Sequence, residues 1–292
     1  MLYLIYSLNA LLMVTLPIGL GLFLARRLNL RWGLFGVGAV TFVASQVVHL
    51  PLNAGLTWLF VKDILPSPPT EWQLLFNVTV LGLTAGLCEE TARYAVYRWW
   101  IRSARTWREA LMFGAGHGGI EAILLGALAG IAFVQLAALR DTDLTTLPLT
   151  AEQLAALQKQ LTDYWAAPWY FGLLGAVERA LALCLHLSLA VLVLQVFRRK
   201  QVWWLGAAIL WHATVNAVAL YVFKIWGAYW AEAVLAGLAA ASLGIVFALR
   251  SPDEAPLQES APTAVAVAPA PAVVARAESD LEEKLRESQF IQ

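Results

Sequence analysis

Charge is scarce along this chain, and the charges that are present balance. Of the 292 residues, 20 are basic and 20 are acidic, so charged residues make up 14% and the formal net charge is zero. Proteins that bind nucleic acid usually carry a strongly basic patch or domain. The composition therefore argues against a nucleic-acid partner.

Cysteine and the common hydrolase motifs are also nearly missing. Cys88 and Cys184 lie alone in apolar runs, so they form neither a disulfide framework nor a metal motif of the CxxC type. The HExxH motif is absent, and no serine or cysteine lies in a recognisable nucleophile motif. Hydrolysis through a covalent serine or cysteine intermediate is not indicated.

Hydrophobic residues are abundant instead. They make up 60% of the chain, with 13 tryptophans and a mean hydropathy of +0.66, which predicts an all-α polytopic membrane protein. The first apolar run lacks the basic start and the cleavage site of a signal peptide, so we expect it to remain as a span. A spanning helix needs about 20 apolar residues, and seven runs qualify, at 3–25, 33–61, 72–100, 107–139, 169–197, 203–223 and 227–249.

Basic residues indicate the orientation of these seven transmembrane helices. They cluster after the first, third, fifth and seventh runs, at Arg26, Arg27, Arg31, Arg98, Arg102, Arg105, Arg108, Arg198, Arg199, Lys200 and Arg250. Cytoplasmic connections carry the excess of arginine and lysine in membrane proteins. The sequence therefore predicts that the N-terminus lies outside and the C-terminus in the cytoplasm, as in a bacterial-type cytoplasmic membrane.

Two segments lie outside the predicted spans. Thr150, followed by Glu152 and Gln153, indicates the start of a helix at the outer membrane surface. Residues 251–292 are rich in proline and alanine and predict a disordered cytoplasmic tail. We therefore expect a single membrane domain at residues 1–250.

Charged residues interrupt the third run. Glu89, Glu90 and Arg93 lie within Leu87 to Trp100, and a charge at bilayer depth costs about 2.5 to 3.5 kcal/mol or more, which makes such residues candidates for a functional site. Counted from the nearest basic residue, Glu89 lies at the same depth as three histidines on other helices, roughly 14 to 18 Å from the cytoplasmic boundary. The histidines are His117, His186 and His212.

Spacing within the helices predicts which side chains share a face. Residues four apart on a helix point the same way, which pairs Glu89 with Arg93, His117 with Glu121, and His212 with Asn216. The glycines around His117, in FGAGHGG, allow neighbouring helices to approach closely. Outside this group, the sequence favours a core or kink residue at His49 and a structural ion pair of Glu178 with Arg179 near the outer mouth.

Carboxylates and imidazoles that converge in an apolar cavity suit general acid–base catalysis. One interpretation is a water activated by glutamate and histidine, with His212 and Asn216 donating to the oxyanion. The other is a zinc site with Glu89, His117, His186 and His212 as possible ligands. The residues alone leave both interpretations open.

Three short segments carry a family resemblance: EETAR at 89–93, FGAGH at 113–117 and HATVN at 212–216. They resemble the EExxxR, FxxxH and HxxxN motifs of the type II CAAX prenyl endopeptidases and bacteriocin-processing proteases. The YhfC family of that superfamily is more similar. Its GxGH motif, its ER pair and its two late histidines match Gly114 to His117, Glu178 with Arg179, His186 and His212. The late helices are also similar to the anterior-pharynx-defective subunit of gamma-secretase, which lacks the glutamate pair.

The resemblance implies roles for these residues. Glu89 or Glu90 with His117 would activate water, and His212 and Asn216 would stabilise the oxyanion. Arg93 follows Glu89 by four positions, whereas the motif has five, so the catalytic glutamate is not assigned. His186 and Glu121 have no counterpart in the CAAX motifs and would be ligands or supporting residues.

The sequence thus predicts a membrane-embedded endopeptidase, glutamic or metal-dependent, that acts on a peptide or membrane-protein substrate entering from the cytoplasmic half. The glutamic version needs no cofactor and the metal-dependent version takes zinc. A non-catalytic scaffold that binds a partner's transmembrane helix is the first alternative. A proton-coupled transporter is the second, although the chain lacks the inverted repeats of many transporters.

Overall fold

The computed structural model describes residues 1–251, and the predicted tail from Pro252 onward lies outside them. Within the described part the chain is helical, with no strand. The eight α-helices are α1 Leu2–Leu28, α2 Gly33–Val61, α3 Thr70–Trp99, α4 Trp107–Leu139, α5 Ala151–Ala166, α6 Leu174–Arg199, α7 Trp203–Trp226 and α8 Ala228–Ala248. Short 3₁₀ turns at Leu144–Thr146 and Trp169–Leu173 flank α5.

Six helical segments are long and apolar enough to cross a membrane, which confirms a multi-pass membrane protein. They are α1, α2, α4, α7, α8 and the continuous segment Trp169–Arg199 that contains α6. The remaining long helix, α3, has 30 residues but carries Glu89, Glu90 and Arg93. Six of the seven predicted spans therefore meet this test, and the crossing of the membrane by α3 stays a prediction.

Side-chain caps fix the starts of α4 and α5. Thr106 and Glu109 form a capping box at α4, and Thr150 and Gln153 form one at α5, so the helix start predicted at Thr150 is confirmed. Tyr6 of α1 donates a hydrogen bond to the backbone oxygen of Tyr164, 2.8 Å away, which joins α5 to the bundle.

The long helices form a ring around the site. In the order α2, α3, α7, α8, α6, α4, each helix contacts the next and the last returns to the first, while α1 packs against α4 and α6 from outside. We call the end where α1, α3 and α6 finish among basic residues the basic end, and the opposite end, next to α5, the α5 end.

The hydrophobic core fills the ring at the basic end. Tyr97 of α3, Phe113 of α4, and Leu189 and Val193 of α6 are completely inaccessible to solvent. Trp107 donates a hydrogen bond to the backbone oxygen of Val246, 2.8 Å away, and so ties α4 to α8 at the same level. The charged and histidine side chains singled out in the sequence lie directly beyond this core, towards the α5 end.

Candidate active site

Glycines of α4 bring three helices together around His117. An added Cβ at Gly116 would collide with the backbone oxygen of Phe35 in α2. One at Gly118 would lie 2.5 Å from Cδ2 of His186 in α6, and one at Gly114 would lie 2.7 Å from the His186 backbone oxygen. Close approach of this kind is what small residues permit between membrane helices. The glycine run therefore lets α2 and α6 pack closely against α4 around His117.

Glu89 and His117 form the first pair of the site. His117 Nε2 lies 3.0 Å from Glu89 Oε2, and Gln46 of α2 donates to Glu89 Oε1 at 3.3 Å. His117 is fully buried and Glu89 is 5% exposed. A carboxylate and an imidazole at this distance share one proton, which is the arrangement that general acid–base catalysis requires.

Glu90 belongs to a second pair, with Arg93. Arg93 Nη1 donates to both carboxylate oxygens, at 2.7 and 2.9 Å, and neither side chain reaches solvent. His212 Nδ1 lies 2.7 Å from Glu90 Oε1 and donates the third hydrogen bond to this carboxylate. The spacing left open which glutamate Arg93 holds, and the guanidinium turns back by three residues to Glu90 and not by four to Glu89.

His186 bridges this buried pair to the outer part of the site. Its Nδ1 accepts from Arg93 Nη2 and its Nε2 donates to Glu121 Oε2, both at 2.7 Å. Arg93 has no proton acceptor, so the direction of these two bonds assigns the neutral imidazole protonated on Nε2. His117 and Glu121 share a helix face, as predicted, but they contact different partners.

The predicted ion pair of Glu178 with Arg179 is confirmed. Arg179 Nη2 donates to Glu178, and Nη1 donates to Glu121 Oε1 at 2.7 Å. The pair thus continues the chain of contacts that runs from Glu90 through Arg93, His186 and Glu121.

A second hydrogen-bonded chain, along α2, was missed from the sequence. Thr84 donates to Asn53 Oδ1 at 2.9 Å, and Asn53 Nδ2 lies 2.9 Å from His49 Nε2. His49 Nδ1 lies 3.1 Å from the oxygen of Gln46, whose amide reaches Glu89. The sequence did contain a signal for this chain of polar side chains, because positions 46, 49 and 53 share one face of a helix. His49 is hydrogen-bonded as expected, but as part of the support of Glu89.

A cavity of about 710 Å³ opens from the site towards the α5 end. Glu89, His186, His212 and Asn216 line its inner part, and Glu178 and Glu232 line it near the starts of α6 and α8. Glu90, Arg93 and His117 do not line it. Of the two adjacent glutamates, Glu89 is therefore the one that faces the cavity. If the basic end is cytoplasmic, as the sequence predicts, entry from the cytoplasmic half does not match this cavity, because the packed core occupies the basic end.

Comparison with known proteins supplies the family. The profile of the family described as YhfC intramembrane metalloprotease matches residues 12–236. The chain belongs to the YhfC family. The protein named "Uncharacterized membrane protein YhfC" of Bacillus subtilis (strain 168) is 31% identical over 207 residues, which cover 70% of this chain and 79% of that protein. No solved structure matches the chain. The predicted resemblance to YhfC proteins is confirmed, and membership supports a membrane protease.

The family description implies a metal, and part of the site fits one. Glu89, His117 and His186 each offer a ligand atom, and these atoms lie within 4.8 Å of one another. Two imidazoles and one glutamate are a ligand set of catalytic zinc sites. His117 Nδ1 is buried without a hydrogen-bond partner among the described residues, so this imidazole has a nitrogen to spare.

His186 fits this ligand set only after a change of partners. Both of its nitrogens are engaged, one by the Arg93 guanidinium and one by Glu121. To act as a ligand it has to release one of these hydrogen bonds. His212, which the sequence offered as a further ligand, lies outside the three-residue group and is bonded to Glu90.

Proposed function

We propose that this YhfC-family chain is an intramembrane endopeptidase that hydrolyses a peptide bond with water activated by Glu89 and His117. The observation that carries the proposal is the position of Glu89. It faces a cavity inside a bundle of membrane helices and lies 3.0 Å from an imidazole that is completely buried. A carboxylate and an imidazole paired in a water-poor cavity are suited to moving a proton during attack on an amide.

In the proposed reaction, Glu89 accepts a proton from a water molecule as the water oxygen attacks the carbonyl carbon of the peptide. His117 shares that proton and steadies the carboxyl group. The same proton then passes to the leaving amine, the C–N bond breaks, and the products are a new carboxyl terminus and a new amino terminus. Glu89 thus ends the cycle as it began, which general acid–base catalysis requires.

Asn216 and His212 are the proposed donors to the oxyanion. They lie one turn apart on α7 and both line the cavity. The amide of Asn216 donates without any change of charge. His212 gives its Nδ1 proton to Glu90, so it donates to substrate only in its doubly protonated form, through Nε2. We therefore assign the main contribution to Asn216, with His212 as its partner.

Glu90, Arg93, Glu121 and His186 support the site. Arg93 joins Glu90 to His186, and the chain of contacts holds the walls contributed by α3, α6 and α7 in register. Under a metal-dependent mechanism, Glu89, His117 and His186 would hold the ion. A catalytic zinc ion lowers the pKa of bound water to about 7 and polarises the carbonyl group.

The proposal includes the placement of the chain in the membrane. We propose that α3 crosses the bilayer as the seventh span, because it packs between α2 and α7 and buries Glu89, Glu90 and Arg93 inside the bundle. The N-terminus lies outside and the C-terminus in the cytoplasm of a bacterial-type membrane. The substrate is a peptide or a segment of a membrane protein.

Turnover in proteoliposomes tests the proposal. Wild-type protein cleaves members of a library of internally quenched peptides, and Glu89→Gln lowers turnover about 10²- to 10⁴-fold, as expected for loss of a general base. Glu71→Gln is the matched control, because it makes the same change in the first turn of the same helix, far from the site. Equal turnover by wild type and Glu89→Gln contradicts the proposal.

Elemental analysis separates the two versions of the mechanism. Stoichiometric zinc that is lost in His117→Ala and retained in His212→Ala supports the metal-dependent version. Activity that resists chelators, in protein without bound zinc, supports the glutamic version.

A further inference from the structure

The ring of helices is closed at one end and open at the other. Towards the basic end, the completely buried side chains of Tyr97, Phe113 and Leu189 fill the space next to the site. Towards the α5 end, the cavity continues between α6, α7 and α8 as far as Phe171 and Ala228. A substrate that reaches Glu89 through this cavity therefore comes from the α5 end.

The dimensions of the cavity fit an extended chain. From His186 to Leu174 the cavity follows α6 for about 18 Å at 1.5 Å per residue. The volume of the cavity is about 710 Å³. An extended chain rises about 3.3 Å per residue, so about five residues cover this distance.

Beyond the inner site, the ionisable side chains of the cavity wall are mostly acidic. There, Glu121, Glu178 and Glu232 face a single guanidinium, that of Arg179. Arg179 is already bonded to Glu121 and Glu178. Glu232 Oε2 is buried and has no hydrogen-bond partner among the described residues. Since buried carboxylate oxygens are normally paired, Glu232 offers an acceptor for a group that enters the cavity.

We propose that the cavity admits an extended polypeptide segment from the α5 end and that a cationic group of this segment, a lysine or a free amino terminus, binds Glu232. This rests on the proposed peptidase function and adds to it the side of entry and the charge of the substrate. On the orientation proposed above, the substrate reaches the site from outside the cytoplasm.

Thiol labelling from each side of the membrane tests the side of entry. The native thiols are first removed as Cys88→Ala and Cys184→Ala, and a single reporter, Ala219→Cys, is placed on the cavity wall. Ala155→Cys in α5 and Ser103→Cys at the basic end mark the two sides, because both positions are exposed. The probe is a membrane-impermeant methanethiosulfonate, applied to intact cells and to inverted vesicles.

We expect Ala219→Cys to react from the same side as Ala155→Cys, and Ala208→Cys, which lies in the packed core, to stay unlabelled. Labelling of Ala219→Cys only from the side of Ser103→Cys, or from neither side, overturns the proposal. The test does not depend on hydrolysis, so Glu89→Gln protein gives the same pattern. Labelling as expected without turnover would overturn the proposed function alone.

Protection of the same thiol tests the charge of the occupant. A short lysine-containing peptide with an acetylated amino terminus and an amidated carboxyl terminus slows labelling of Ala219→Cys. Its norleucine counterpart, blocked in the same way, is the neutral control. Glu232→Gln raises the half-protecting concentration of the lysine peptide at least about tenfold, the effect expected for a charged hydrogen bond. Glu232→Gln leaves the half-protecting concentration of the norleucine peptide unchanged. The control Glu71→Gln changes the half-protecting concentration of neither peptide. If the norleucine peptide, or a neutral acyl amide, protects the thiol as well as the lysine peptide does, Glu232 is not a cation site.

Discussion

Two adjacent glutamates in α3 differ in surroundings because successive residues on a helix point about 100° apart. Glu89 faces the cavity and pairs with His117, whereas Glu90 is enclosed by Arg93 and His212. The Glu89 carboxyl group lines the cavity, and the Glu90 carboxyl group is held by three hydrogen bonds. These surroundings favour a catalytic role for Glu89 and a structural role for Glu90.

This difference predicts that loss of the Arg93 charge destabilises the fold, whereas loss of the Glu89 charge does not. Arg93→Met leaves Glu90 buried without its counter-charge, which costs about 3 to 5 kcal/mol, so the melting temperature in detergent falls sharply. The double variant Arg93→Met, Glu90→Gln recovers part of the loss, because the buried charge is gone. Glu89→Gln keeps a melting temperature near that of wild type. Tryptophan fluorescence during heating measures all three, and a stable Arg93→Met protein contradicts the role assigned to Arg93.

At the residue scale, the sequence identified the charged group but not its pairing. The segment EETAR placed Glu89, Glu90 and Arg93 in a membrane helix, and the free-energy cost of charges at bilayer depth indicated a functional site. Residues three and four apart are both neighbours on a helix, so spacing alone could not decide between the two glutamates. Which glutamate Arg93 contacts depends on His186 of α6, which accepts a hydrogen bond from the other guanidinium nitrogen. His186 lies more than 90 residues away in the sequence, so spacing within α3 gives no sign of this contact.

The elements around the site are held by close backbone contact. Gly38 of α2 and Gly116 of α4 lie where the two helices cross, and a Cβ at either position would collide with a backbone oxygen of the other helix. A backbone oxygen cannot rotate aside as a side chain does. The crossing therefore has to open if either glycine is replaced.

Gly116→Ala is accordingly expected to separate α2 from α4 and to destabilise the fold by more than about 2 kcal/mol, as overpacking of a tight contact does. Gly36→Ala is the matched control in α2, because nothing lies within 4 Å of its added Cβ. Melting temperatures of the two variants measure the difference. Equal melting temperatures contradict the crossing.

The polar face of α2 gives a second prediction at this scale. His49→Leu breaks the hydrogen-bonded chain that ends on Glu89 through Gln46. A small displacement of a catalytic group costs up to about 10²-fold in rate, so we expect kcat to fall by about ten- to a hundredfold with little change in stability. Val48→Leu, at an exposed position beside it, serves as control. An unchanged kcat would show that Gln46 needs no support from His49.

The sequence predicted the elements themselves closely, since apolar length and basic ends define membrane helices. It did not predict the chain of contacts along α2. Each of Gln46, His49 and Asn53 is unremarkable alone, and their importance comes from the packing of α2 against α3, which brings Glu89 and Thr84 within reach.

At the scale of the whole molecule, the arrangement of the helices determines access to the site. Composition indicated a membrane protein, and shared depth indicated a site, but neither shows which end of a bundle is filled. That depends on where the large side chains of different helices meet. Here Tyr97, Phe113 and Leu189 meet at the basic end, and the cavity is left at the other.

The orientation of the chain provides a prediction for the whole molecule. A reporter enzyme that works only in the cytoplasm should be active when fused after Arg250 and after Ser103, and inactive when fused within the α4–α5 connection at Thr142. A reporter that works only outside should give the reverse pattern. Activity of one reporter at both Ser103 and Thr142 would mean that α4 does not separate the two sides.

The central claim is that Glu89 directs water to a peptide bond. Hydrolysis in water enriched in oxygen-18, followed by mass spectrometry of the products, tests it most directly. The account predicts that wild-type protein places one heavy oxygen in each new carboxyl terminus, and that equally folded Glu89→Gln protein yields almost no labelled product. Labelled product from Glu89→Gln at the wild-type rate, or none from either protein, would contradict the account.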